Sequence, residues 1–164
     1  MKLELKHITP YLPYGLQVEY RGEVTTLDAL DVEGGAFVGE NRMVSFVNQR
    51  HIKPILRPLS SMSKKEAYDL LSLVVFDLTV DIEDMENLII KRDLNEIIIK
   101  CTFKNSIYYD TLFSLYISGE RILYTSTDND GEEPLLTSYS MYEHLFSNHF
   151  DVFGLISKGL AIAK

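Results

Sequence analysis

The chain has 164 residues, 46% of them hydrophobic and 24% charged, with ten Tyr, eight Phe and no Trp. This length buries a core without disulfides or a metal, and the apolar fraction excludes a chain disordered over most of its length. A net charge of −8 repels phosphate backbones and disfavours non-specific nucleic-acid binding by the chain as a whole.

The charge is unevenly placed. Residues 1–60 hold seven Lys/Arg and seven Asp/Glu, whereas residues 61–164 hold nine and seventeen. A soft boundary is therefore expected near 60, between a small β subdomain (1–60) and an α+β subdomain (61–164) packed with it, unless the two make a single domain. Cys101 is the only cysteine, so no intrachain disulfide forms, which fits a reducing compartment. Residues 1–10 lack the apolar core of a signal peptide. The longest apolar runs, such as 73–76, are too short to span a bilayer. A cytoplasmic protein with no membrane association is the expectation.

In chain order, residues 14–20 alternate, with Leu16, Val18 and Tyr20 against Gln17 and Glu19, and read as a strand. Arg21-Gly22 reads as a tight turn into a second strand over 24–30. Glu33-Gly34-Gly35 is another turn, and 36–38, 43–47 and 52–56 complete the set. Such short strands with glycine turns predict a small curled antiparallel sheet or partly open barrel. The prolines at 10, 13, 54 and 58 favour strand ends or edges. Ser63-Lys64-Lys65-Glu66 matches a capping box, and Ala67, Leu70, Leu71, Val74, Val75 and Leu78 follow on one helical face.

Residues 81–86 read as an acidic connection. Stretches 96–103, 107–117 and 121–125 then predict an antiparallel meander, with turns at Lys104-Asn105 and Ser118-Gly119. After a polar loop over 127–133, a second helix is expected from near Pro134 to about His149, striped by Leu135, Tyr139, Tyr142, Phe146 and His149. Gly154 and Gly159 interrupt the period and leave an apolar tail, 155–163. The expected class is α+β: the N-terminal sheet, a helix, the meander and a C-terminal helix.

Two sets of words stand out. One is Tyr11-Leu12-Pro13-Tyr14-Gly15-Leu16 with Lys53-Pro54-Ile55-Leu56-Arg57-Pro58-Leu59-Ser60. The other is His149-Phe150-Asp151-Val152-Phe153-Gly154-Leu155-Ile156 with Lys158-Gly159-Leu160-Ala161-Ile162. Together they resemble a group of uncharacterised proteins of Bacteroides-type gut bacteria, often encoded near prophage or mobile-element genes. The resemblance covers roughly the first 60 and last 20 residues. It implies a bacterial or phage origin and carries no assigned activity and no functional residue. The prolines and glycines in these words are of the kind that set backbone turns.

The chemistry-bearing residues form no familiar constellation. His144 and His149 are five apart on the expected helix, which turns them away from a shared chelating face. His149 with Asp151 would make an oriented acid–base pair, but no nucleophile is marked for it. Asp128, Asp130 and Gly131 imitate a calcium loop, yet Ser126 and Thr137 stand where that loop needs carboxylates. Asp81, Glu83, Asp84 and Glu86 are contiguous carboxylates of the kind usual in a solvated loop. Alternation puts Cys101 on one face with Ile97, Ile99 and Phe103, which favours burial as a small hydrophobe. No nucleophile elbow, phosphate loop, dinucleotide loop, zinc-protease helix or paired C-x-x-C occurs. No catalytic residue, metal or cofactor is expected.

Three functions follow, in order. The first is a non-enzymatic accessory or protein-interaction protein of a mobile element, with a protein partner or a second copy docking on the aromatic-rich sheet or the apolar tail. The second is a nucleic-acid-binding module using the acid-free stretch 42–57, with Arg42, Arg50, Lys53 and Arg57 as contacts and Tyr20 and Phe46 as stacking residues. An enzyme comes third and needs His144, His149, Asp151 and the acidic loop gathered in a cleft.

Overall fold

In the computed structural model, the described residues are 3–31, 35–39, 42–45, 52–73, 83, 85–93, 96–103, 113–118, 121–126, 135–136 and 139–164. The chain is an α+β protein that divides into two units. One comprises Met1–Pro58 together with Leu145–Lys164, and the other Leu59–His144. The first break falls between Pro58 and Leu59. The last twenty residues, expected within 61–164, belong instead with the N-terminal strands.

Near its start the first unit carries two 3₁₀ helices. Leu5–His7 forms one turn and Thr9–Tyr14 a second helix, ended by Gly15 at φ +68°. Pro10 and Pro13 remove two backbone donors within six residues, which an α-helical ladder does not tolerate and a short 3₁₀ segment does. Strands β1 (Gln17–Tyr20), β2 (Glu23–Leu30), β3 (Gly35–Val38) and β4 (Arg42–Ser45) follow as an antiparallel meander. β5 (Ile52–Leu56) returns to pair antiparallel with β1.

The expected apolar tail is spent inside this unit. Leu155 is fully buried, Ala161 nearly so, and the tail ends in β11 (Ile162–Ala163), parallel to β5. The order is β11-β5-β1-β2-β3-β4, an open sheet. β11 covers only Ile55 and Leu56, so Pro54 sits where the outer ladder has not begun. Val18, Leu27, Ala36, Val38, Ile52 and Leu56 line the buried face, with Ile8, Tyr11 and Leu155 in the same core.

In the second unit a 3₁₀ turn (Leu59–Ser61) leads to α1 (Lys64–Ser72). The capping box forms as expected: the Glu66 amide donates to Ser63 Oγ at 3.2 Å and the Ser63 amide to Glu66 Oε2 at 2.8 Å. Ala67, Leu70 and Leu71 are buried; Val74, Val75 and Leu78 lie outside the described residues.

The acidic stretch 81–86 is not wholly a connection, because β6 (Met85–Asp93) begins inside it. Leu88, Ile89 and Ile90 interrupt the simple alternation, since Asn87 at φ +51° and a register shift between Glu86 and Ile89 bulge the strand. β7 (Glu96–Phe103), β8 (Phe113–Ser118) and β9 (Arg121–Ser126) form the expected meander, and residues 107–112 lie outside the described residues.

Leu135–Leu136, expected to start a helix, is a short strand, β10, paired with β9. The helix α2 runs from Tyr139 to Ser147. Leu135 fits the helical stripe, but backbone pairing of Leu135 with Tyr124 and of Leu136 with Leu123 takes the segment first.

Gly39 makes the β3–β4 turn possible. Its φ is +38°, and a Cβ there would run into the Thr25 hydroxyl. Gly39→Ala is expected to lower stability by about 1–3 kcal/mol. Gly22→Ala, also at positive φ but in open space, should cost less. Urea melts of the two variants beside the wild type check the order.

Candidate functional site

The two ends of the first unit meet around Tyr11. Its ring is fully buried and packs edge-on against Phe146, with centroids 4.9 Å apart at 77°. Its hydroxyl donates to the Phe150 carbonyl at 2.7 Å and accepts from the Val152 amide at 3.4 Å. Burial pushes this phenol far above its ordinary pKa; the Val152 amide opposes the rise and the Asp151 charge adds to it. Tyr11 is therefore a neutral strut, unsuited to proton transfer near neutral pH.

Asp151, beside it, is only 1% exposed. Its Oδ1 accepts from the Leu155 amide at 2.6 Å and its Oδ2 from the Ile156 amide at 3.0 Å. Both carboxylate oxygens thus hold the start of the next turn. That turn closes at Gly159 (φ +69°), where the Leu160 amide donates back to Leu155 and the Gly159 amide to Ile156.

His149, placed by the apolar stripe at the end of the helix, lies beyond it. It sits two residues past the end of α2 at φ +56°, the left-handed position of a helix stop. The Phe150 amide donates to the Leu145 carbonyl and the His149 amide to the Phe146 carbonyl, completing the closing pair. The imidazole hydrogen-bonds the backbone of Tyr14, and its Nε2 is sealed from solvent without a hydrogen-bond partner among the described residues. Burial lowers its pKa; the Tyr14 bond opposes this, and Lys164 and Arg57 add to it. His149 and Asp151 thus serve different backbone segments and form no acid–base pair. His144 lies within α2, in the other unit.

Arg57, marked in the sequence as a nucleic-acid contact, is a tether. Its amide donates to the His149 carbonyl and its carbonyl accepts from the Asp151 amide, both at 2.8 Å. Its guanidinium lies 4.4 Å from the centre of the Phe150 ring. Lys53 is exposed on β5 opposite Glu19 of β1. Arg50 lies outside the described residues, as does Phe46.

Arg42 occupies a different place, at the start of β4. Its guanidinium lies 5.5 Å from the Tyr20 ring centre, and Arg21 lies 5.2 Å from the same ring. Arg42 Nη2 is 3.8 Å from Glu23 Oε2, with both side chains exposed. Arg21 and Gly22, at φ +53° and +87°, form the two-residue turn of the β1–β2 hairpin. The sequence reading missed Arg21. The signal was there, since an Arg-Gly turn after Tyr20 puts the arginine beside that ring, but the β3–β4 register that brings Arg42 alongside has no local signature.

Cys101 is buried on the face that holds Ile99 and Leu115, and burial pushes its thiol up to about 12. Of the acidic stretch, Glu83 and Glu86 are described, while Asp81 and Asp84 lie outside the described residues, as do Asp128, Asp130 and Gly131. Among the described residues no three His, Cys, Asp or Glu gather as a metal site, and no helix is long and apolar enough to cross a membrane.

No family model matches the chain, and neither a curated protein nor a solved structure does. The fold and these contacts define an α+β protein whose N-terminal sheet is extended at one edge by its own C-terminal strand.

Two outcomes follow for stability. Tyr11→Phe leaves the Phe150 carbonyl and the Val152 amide only the 2.8 Å bond that they make with each other and is expected to cost about 1 kcal/mol, and Asp151→Ala, which strands two amides, about 2–5 kcal/mol. Urea denaturation measures both. His7, buried with Nδ1 accepting from the Glu4 amide at 3.0 Å, also has a lowered pKa, through burial and the nearby Lys6 and Lys158, against the pull of Glu4. Below the ordinary value of 6.5 the unfolded chain takes protons on both histidines that the folded chain resists. Their contribution is therefore whole above pH 6.5 and is lost as pH falls through that value. A His7→Gln/His149→Asn double variant should show a shallower loss of stability between pH 7 and 5 than the wild type.

Proposed function

We propose that the chain is a non-enzymatic protein-interaction protein, in keeping with an accessory role beside mobile-element genes. The carrying observation is the employment of its buried polar groups. Asp151 spends both oxygens on the Leu155 and Ile156 amides, Tyr11 bridges Phe150 and Val152, and His149 is bonded to the backbone of Tyr14. A general acid or base must reach a substrate proton, and these groups face the protein's own backbone. Cys101, buried with a raised pKa, is a poor thiolate at neutral pH.

The nucleic-acid reading has less support. Lys53 stands opposite Glu19, Arg42 has Glu23 beside it, and Arg57 lies on Phe150. Tyr20 has two guanidiniums over its ring, which leaves little of it for a base to stack on.

Affinity capture with the full chain from a Bacteroides-type lysate, then reconstitution with the purified captured protein, is expected to give a stoichiometric complex by light scattering. Asp151→Asn and His149→Asn proteins that remain folded should still form it. A substrate turnover abolished in those folded variants, or the absence of any stoichiometric complex, would overturn the proposal.

A further inference from the structure

We infer that Tyr20, Arg21 and Arg42 form a two-pronged carboxylate receptor for an acidic segment of a partner protein. This rests on the reading of the chain as a binding protein and names the chemistry of what it binds.

Three observations carry it. First, two guanidiniums from separate parts of the chain converge on one ring, each within 5.5 Å of its centre. Arg21 comes from the β1–β2 turn and Arg42 from β4, with the Gly39 turn between β3 and β4. A guanidinium lying on an aromatic ring loses mobility but keeps its N–H edge open to a bidentate acceptor. Tyr20 is half-buried against the core, so it is a fixed support.

Second, Arg21 is in an unfavourable place. Its φ of +53° suits Asn or Gly, and a side chain with a Cβ is strained there. Folding alone is served better by Asn-Gly at this turn. Strain held at an exposed tip is the pattern of a functional position.

Third, the counter-charge is weakly held. Glu23 stands 3.8 Å from Arg42, with side chains 76% and 55% exposed. Such a pair is worth little, so an incoming carboxylate displaces it at small cost. Glu23 also keeps the local field low, which favours discrete carboxylates of a protein segment over a continuous polyanion. Arg and Tyr are the side chains that most often anchor protein interfaces.

The test uses the full chain and a fluorescein-labelled Glu/Ser peptide, with a single-stranded oligonucleotide of matched charge as the second probe, followed by anisotropy at low salt. The peptide is expected to bind, and Arg42→Ala and Arg21→Gly each to weaken it about five- to tenfold. Arg21→Gly also relieves the turn, so it folds at least as stably as the wild type and keeps the result interpretable. Arg21→Lys should fail to restore binding, because the planar fork is lost. Tyr20→Leu should weaken binding without any change of charge, and Lys53→Ala should leave it within about twofold.

Peptide affinity unchanged in Arg21→Gly and Arg42→Ala, no peptide binding at all, or tighter binding of the oligonucleotide with the same arginine dependence overturns the inference. A captured partner that still binds the Arg21→Gly/Arg42→Ala double variant would also overturn it, while leaving the broader proposal of a binding protein standing.

Discussion

A buried tyrosine hydroxyl holds the first unit closed. Phe150 and Val152 present a carbonyl and an amide inside the core, and a buried backbone group without a partner costs as much as a lost hydrogen bond. These two bond each other at 2.8 Å, and Tyr11, 139 residues away from Phe150 in the chain, adds a bond to each with one oxygen. Asp151 lies between them and does the same for the next turn, and Arg57 fastens the segment to the end of β5. Without the Tyr11 oxygen, the Phe150 carbonyl and Val152 amide would keep only the bond between themselves, in a core that also holds Ile8, Leu16, Leu56 and Phe146.

This arrangement changes how charge is distributed. The first unit carries nine Lys/Arg and eight Asp/Glu, and the second seven and sixteen. The acidity that disfavours polyanions thus belongs to 59–144, and the first unit is close to neutral. Its basic residues serve separate purposes. Arg57 is a tether for the tail, Lys53 faces Glu19 across strands, and Arg42 joins Arg21 on Tyr20. Of the acid-free stretch 42–57, the described members Arg42, Lys53 and Arg57 thus have different neighbours in the sheet.

Much of the fold was legible because it is written in local terms. Val18 and Tyr20 alternate with Gln17 and Glu19, Arg21-Gly22 sits where the two positive φ angles fall, and Ser63 with Glu66 specifies a helix start. Each is a statement about neighbours. The errors lie where distant pairing decides. Leu135 fits a helical stripe but is claimed with Leu136 by β9, and β6 hides behind a bulge at Asn87 that breaks the two-residue period. The 3₁₀ helix around Pro10 and Pro13 has no hydrophobic period at all. The words that drew attention at 11–16, 53–60 and 149–162 fall almost entirely in the first unit, where Tyr11, Arg57 and Asp151 meet. Nothing in the linear text joins them; only the fold does.

Native-state amide hydrogen exchange reads the closure of this unit directly. If Tyr11, Asp151 and Arg57 bind the last twenty residues into one cooperative body with the strands, the amides of Asp151, Val152, Leu155 and Ile156 open with the same free energy as those of Val18 and Leu27. If instead the 151–156 amides exchange orders of magnitude faster than the strands while the sheet stays protected, the segment is an appendage and the closure described here is wrong.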